Sequence, residues 1–221
     1  MANTIEVGVR SRRLQVSLLA AAAAWLAAAV ALSAAGRLDQ PHRPPLLFAL
    51  FIVAPVTGAL VAYAISRQFR TLVLQLPLAW VTAVHICRLV GVVFVIGVAA
   101  GTYPANFGLP AGIGDMVSAL VAVPLTIALL RGSRSSGLRA RYVVWNVFGL
   151  VDLVSAILLG LLYSDSAAGV LRGESSTAAL ADLPVSLIPT VYVPGLIMLH
   201  LLAFRRNAET AGGQARNAPS A

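Results

Sequence analysis

The chain has 221 residues, of which 59% are hydrophobic and only 11% are charged, and its mean hydropathy is +0.86. A soluble domain carries about 25% charged residues, so this composition excludes an ordinary water-soluble fold and indicates a polytopic membrane protein. The net charge of +8 would suggest nucleic acid in a soluble chain. Here the arginines lie between apolar segments, where they set topology, and no nucleic-acid partner is expected.

All sixteen basic residues are arginine. Without lysine there is no Schiff base to retinal or pyridoxal phosphate and no P-loop. The single cysteine, Cys87, excludes a disulfide framework, an iron–sulfur cluster and a cysteine-rich zinc site within one chain. Cys87 is expected to be a small buried hydrophobe.

A spanning helix needs about 20 mostly apolar residues. Six segments qualify, roughly 14–35, 46–65, 72–100, 111–130, 141–163 and 183–204. The predicted architecture is therefore an all-α bundle of six transmembrane helices over 14–204. A cytoplasmic segment (1–13) precedes it and a disordered cytoplasmic tail (205–221) follows it. The first span resembles a signal peptide at its edges, with Arg10, Arg12 and Arg13 before it and "LSAAG" closing it. Its apolar stretch is longer than a signal core, so it reads as an uncleaved helix. Its run "LLAAAAAWLAAAVALSAA" allows close packing in lipid and offers a surface for a homo-oligomer. The third span is long enough to tilt or to end in an outer extension. Pro184, Pro189 and Pro194 should bend or loosen the sixth. Trp145 and Tyr142 fall near the inner boundary, where aromatic belt residues sit.

The arginines orient the bundle. Arg10, Arg12, Arg13, Arg67, Arg70, Arg131, Arg134, Arg139, Arg141, Arg205, Arg206 and Arg216 fall on one side, against Arg37, Arg43 and Arg172 on the other. This bias places both termini in the cytoplasm, as in a multi-pass protein of a bacterial inner membrane. Arg88 is left inside a span.

The fourth and fifth spans carry similar motifs. "GIGDMVSAL" covers 112–120 and "GLVDLVSAI" covers 149–157. Consecutive spans run in opposite directions, so the copies are related as in inverted-repeat transporters. In each copy a serine follows the aspartate at i+3, on the same helix face. Asp115 with Ser118 and Asp152 with Ser155 thus offer oxygen pairs suited to a proton, a cation or a hydroxylated ligand.

A carboxylate inside a span costs about 2.5–3.5 kcal/mol on insertion scales, so such residues face the interior and pair. A rise of about 1.5 Å per residue puts Arg88 about 18 Å and Asp152 about 16 Å below the outer face. It puts His85 at about 22 Å, Asn146 and His200 at about 25 Å, and Asp115 at only about 6 Å. Arg88 and Asp152 are therefore expected to pair. Removing either should reduce folded protein sharply, and replacing both by leucine should recover much of the loss. Asp115 reads either as the mouth of a cavity or as a helix N-terminal carboxylate, with "NFGLPAG" (106–112) as the turn before it.

The stretches "RLVGVVFVIG", "LPAGIGD", "NVFGLVDL" and "LIPTVYVPGLIMLH" resemble a family of bacterial six-helix membrane proteins described only as hypothetical. The resemblance covers roughly residues 88 to 200 and implies no activity. It points to Arg88, Asp115, Asn146, Asp152 and His200 as positions of interest.

Three function classes fit. The first is an ion- or proton-linked transporter or binder of a small solute at Arg88, His85, Asp115, Ser118, Asn146, Asp152 and Ser155. The second is an intramembrane enzyme acting on a lipid or isoprenoid, with the aspartates as acid and base. The third is a haem b protein with His85 and His200 as axial ligands. Membrane lipids and a small-molecule or ion ligand are the partners all three share.

Overall fold

A computed structural model describes the backbone of residues 2–133 and 135–216 and the side chains of 12–133 and 135–206. Among the described residues the chain is all α-helical, with no strand. Six stretches are long and apolar enough to cross a membrane: Arg12–Ala34, Leu46–Ile65, Leu78–Ala99, Ala105–Leu130, Ser136–Leu162 and Ile188–Arg206. A helix satisfies its backbone polar groups within its own segment, which hydrocarbon demands.

The helices are α1 (Ala2–Ala34), α2 (Leu46–Ile65), α3 (Arg67–Leu74), α4 (Leu78–Val84), α5 (Val92–Ala99), α6 (Ala105–Leu130), α7 (Ser136–Leu162) and α8 (Val193–Arg216). Both ends of the described chain are helical. Helix α1 already begins at Ala2, within the segment expected to precede the bundle. The tail expected to be disordered from 205 is helical through Arg216, and 217–221 lie outside the described residues.

The third span also differs. Its surplus length is not an outer extension but the separate short helix α3, on the arginine-rich side. Ser66 caps α3, its Oγ accepting from the Phe69 amide at 3.2 Å. Pro77 cannot continue an i→i−4 ladder, and α4 starts just after it. Between α4 and α5 the chain tightens into a 3₁₀ stretch, His85–Gly91. The sixth span opens on a wide turn of π-helix, Ile188–Tyr192, which contains Pro189. Pro184 lies before this turn rather than in the helix, and Pro194 sits in the first turn of α8.

Two glycines stop helices. After α5, Gly101 takes φ +74° and the Thr102 amide bonds back to the Gly97 carbonyl at 2.8 Å. After α6, Gly132 takes φ +72° and the Ser133 amide bonds to the Ala128 carbonyl at 3.1 Å. Both positions need the left-handed conformation that glycine adopts freely.

Helix α6 is the centre of the bundle, packed against the whole third span and against α7. Helix α8 closes the group against α7 and α2. Helix α1 is peripheral and leans on α2 and the start of the sixth span. Its Trp25 ring meets Phe51 edge-on at 4.8 Å, and its indole N–H donates to the Thr190 carbonyl at 3.1 Å. The alanine run Ala20–Ala24 is exposed.

At the arginine-rich end, Val81, Ala122, Leu125, Tyr142, Trp145 and Ala203 form one core cluster. Trp145 and Tyr142 are therefore core residues, not belt residues. The indole N–H of Trp145 donates to the Ser118 carbonyl at 2.9 Å, and the Tyr142 hydroxyl meets Thr82 Oγ1 at 3.2 Å. These polar tips found partners inside the bundle, which removes the reason to sit at the membrane surface. At the other end Phe94, Tyr103, Phe107 and Ala111 pack together.

Candidate functional site

The 3₁₀ stretch has three residues per turn, so side chains at i and i+3 eclipse. His85, Arg88 and Gly91 consequently line one side, and these are the residues of the stretch that are buried. The same period turns Cys87 outward, so the cysteine expected inside is exposed. It also projects Arg88, fully buried, straight at α6, α7 and α8.

Arg88 collects both aspartates. Its Nε donates to Asp115 Oδ1 at 2.7 Å, and its Nη2 donates to Asp152 Oδ2. Its Nη1 faces Ser118 Oγ at 3.0 Å, the Gly149 carbonyl at 3.2 Å and His200 Nε2 at 3.2 Å. Asp152 thus pairs with Arg88, as matching depth and opposite charge suggested. Asp115 was expected near the outer edge, away from Arg88, and that placement is wrong. Its helix begins at Ala105, not 111. Six more residues lower Asp115 by about 9 Å, to the level of the other two. It follows ten helical residues, so it is not an N-terminal carboxylate. The stretch "NFGLPAG" is helix rather than turn: α6 starts just after Pro104, whose carbonyl accepts from the Phe107 and Gly108 amides, and Gly108 lets α6 press onto α5. A Cβ there would lie 3.0 Å from the Phe94 carbonyl oxygen.

Four glycines make room for the cluster. A Cβ on Gly91 would lie 2.4 Å from Asp115 Cβ, and one on Gly112 would lie 2.7 Å from the Gly91 carbonyl oxygen. A Cβ on Gly114 would strike the Asp152 carboxylate, and one on Gly149 would sit 2.6 Å from the His200 ring. Sequence reading missed these positions, and it missed the Gly149 carbonyl as a ligand of Arg88. A signal was present: in each motif copy a glycine precedes the aspartate by three residues, on the same face.

The copies are not equivalent at serine. Ser118 reaches Arg88, whereas the Ser155 hydroxyl donates to its own helix at the Val151 carbonyl, 2.8 Å away. Ser155 therefore does not join the site. An in-helix acceptor suffices for a serine with no other partner.

His200 and Asn146 form the second layer. Arg88 can only donate, so His200 Nε2 accepts and its Nδ1 carries the hydrogen, donating to Asn146 Oδ1 at 2.5 Å. Asn146 Nδ2 in turn donates to the His200 carbonyl at 3.1 Å. His85 is fully buried against them, but neither of its nitrogens has a partner among the described residues. The His85 and His200 rings are in contact, tilted by 39° with centroids 4.0 Å apart. A bis-imidazole haem site needs a macrocycle between the two rings, and this stacking leaves no room for one. The axial-ligand expectation for His85 and His200 is overturned on that geometry, since similar depth did not mean opposed faces.

A cavity of about 260 Å³ reaches Asp115 from the arginine-poor side. Asp39, Gln40, Asp165 and Ser166 stand at its mouth, from the loops after α1 and α7. Its walls are apolar, built from Phe48, Ile52, Leu153, Ile157 and Val193 among others. Toward the arginine-rich side the aromatic cluster of Tyr142 and Trp145 closes the bundle below the ion cluster.

A family described as a domain of unknown function (DUF8737) has a model that matches residues 44–207. The chain belongs to this family. The matched DUF8737 region runs from just before α2 into α8, so it holds every residue of the Arg88 cluster, while α1 lies outside it. No curated protein matches the chain. No solved structure matches it either.

Proposed function

We propose that this is a multi-pass protein of a bacterial inner membrane that binds a small solute in the cavity and links that binding to a proton or cation at Asp115 and Asp152. One observation carries the reading: two carboxylates share a single guanidinium. Arg88 matches one negative charge and leaves one over. At bilayer depth an unmatched carboxylate costs about 2.5–3.5 kcal/mol on insertion scales. A proton or a bound cation removes that cost, and Asp115 faces the cavity through which either could exchange.

The backbone supports the same reading. The 3₁₀ stretch of the third span and the π turn of the sixth flank the cluster. Irregular backbone at depth belongs beside a cavity and recurs in the broken helices of transporters. A site open on one side and closed on the other matches one state of alternating access. The lipid-enzyme reading has the apolar walls in its favour. Against it, both carboxylates grip Arg88 instead of opposing each other across a substrate gap.

The arginine bias supports placing both termini in the cytoplasm. A topology reporter fused at Ala221 should be active only as a cytoplasmic fusion, and periplasmic activity would reverse the assignment. The proton link is tested by infrared difference spectroscopy during a pH titration in lipid. A protonated-carboxyl band is expected that Asp115→Asn and Asp152→Asn each change and Asp165→Asn leaves alone. If no carboxyl band tracks either residue across the folded range, and no cation replaces it, the reading fails.

A further inference from the structure

We infer that the solute taken into this cavity is a hydrophobic organic cation, an amine or quaternary ammonium on an apolar body. The inference rests on the solute-binding reading above and deepens it by naming the ligand class. Among the described residues the charged ones lining the cavity are Asp39, Asp115 and Asp165, and no basic residue lines it. Arg88, the one cation at that depth among the described residues, is fully buried and turned into its own acceptors behind Asp115. An anionic ligand would meet the Asp39 carboxylate at the mouth and Asp115 at the floor. A neutral lipid tail would suit the walls but would leave the surplus charge at the floor unmatched.

A hydrophobic cation answers each feature. Its apolar body fills the walls, where Phe48, Phe94 and Phe107 present aromatic surface. Aromatic faces attract a desolvated cation more strongly than an exposed one. Its charge reaches Asp115, whose Oδ1 is held by Arg88 Nε and whose Oδ2 retains acceptor capacity. Asp39 raises the local concentration of cations at the opening, while Asp165 beside it is shared with Arg172 at 3.5 Å. The cavity volume of about 260 Å³ falls just below the range of small-molecule pockets, which span roughly 300–1,000 Å³. A single-ring ligand is therefore the right scale. Cation binding would stand in for the proton on the carboxylate pair, which gives the exchange a direct electrostatic basis.

The test uses the full chain in detergent and equilibrium dialysis, with empty-micelle uptake subtracted. The probes are benzyltrimethylammonium, its neutral carbon isostere neopentylbenzene, and phenylmethanesulfonate. Saturable binding of the cation is expected, with the neutral isostere and the sulfonate weaker by about tenfold or more. Asp115→Asn should weaken the cation by a similar factor. Ala49→Trp fills the wall without touching the ion cluster and should do the same, so a folding defect in the first variant does not decide the matter. Equal binding of cation and neutral isostere would point to a lipid tail and overturn the inference, as would no saturable binding of the cation. The two readings fail separately. A carboxyl band without cation binding leaves the proton site standing and removes this ligand class. Cation binding without any carboxyl band keeps the ligand class and removes the proton link.

Discussion

Arg88→Met should abolish most of the folded protein, while Asp152→Asn should leave it nearly unchanged. The difference follows from counting charges around one guanidinium. Arg88 faces two carboxylates. Removing it leaves both without a counter-charge at bilayer depth, and breaking a buried pair by deleting one partner costs about 3–5 kcal/mol. Asp152→Asn deletes only the surplus charge. It leaves Arg88 matched one-to-one with Asp115, and the amide oxygen can still accept from Nη2. A change within about 1 kcal/mol is expected, the range of a single ordinary hydrogen bond. Pairing Arg88 with Asp152 alone had suggested that Arg88→Leu with Asp152→Leu would recover stability. With Asp115 on the same guanidinium that double variant stays short of recovery. Arg88→Met with Asp115→Asn and Asp152→Asn strands no charge and should recover much of the loss. Thermal unfolding in one detergent, read for all four variants, decides this. If Asp152→Asn falls as far as Arg88→Met, the surplus-charge description is wrong, and the proton-link proposal loses its basis.

The next largest effect is expected where glycine lets two backbones touch. Gly91→Ala and Gly112→Ala should each destabilise by about 1–3 kcal/mol or more, the range for overpacking a close-packed site. A Cβ on Gly112 would lie 2.7 Å from the Gly91 carbonyl oxygen, and one on Gly91 would lie 2.4 Å from Asp115 Cβ. Neither neighbour is the free end of a flexible side chain, so α6 and the 3₁₀ stretch must move apart. That movement also draws Asp115 away from Arg88 Nε. Gly58 is the control. It lies in α2 with nothing within 4 Å of its added Cβ, and alanine there should be neutral or stabilising by about 0.5–1 kcal/mol through backbone entropy. Equal effects at Gly58 and Gly112 would show that helix propensity, not close approach, governs these positions.

Several features were legible in the chain alone. Hydropathy has a period and a length that need no tertiary knowledge, so six spans and the all-α class were readable, with boundaries off by a few residues. The expense of burying Arg88 and Asp152 was also readable, because burial of a charge in hydrocarbon is a property of the residue and its depth. The Gly-x-x-Asp pattern of both motif copies was visible, although its meaning was not.

Other features were decided by tertiary packing. The first turns of α6, which start after Pro104, lie against α5 where Gly108 approaches the Phe94 carbonyl, a contact between helices that local turn signals cannot report. That start set the depth of Asp115 and hence its partner. The switch of His85–Gly91 to a three-residue period turned Arg88 inward and Cys87 outward, and the residues there would equally permit a regular helix. His85 and His200 share a depth, but only the packed bundle shows that their rings touch each other directly. Ser118 and Ser155 hold matching places in sequence, yet one meets Arg88 and the other its own helix. Composition and periodicity are sums over neighbours in the chain, whereas each of these contacts joins residues from different helices across the bundle.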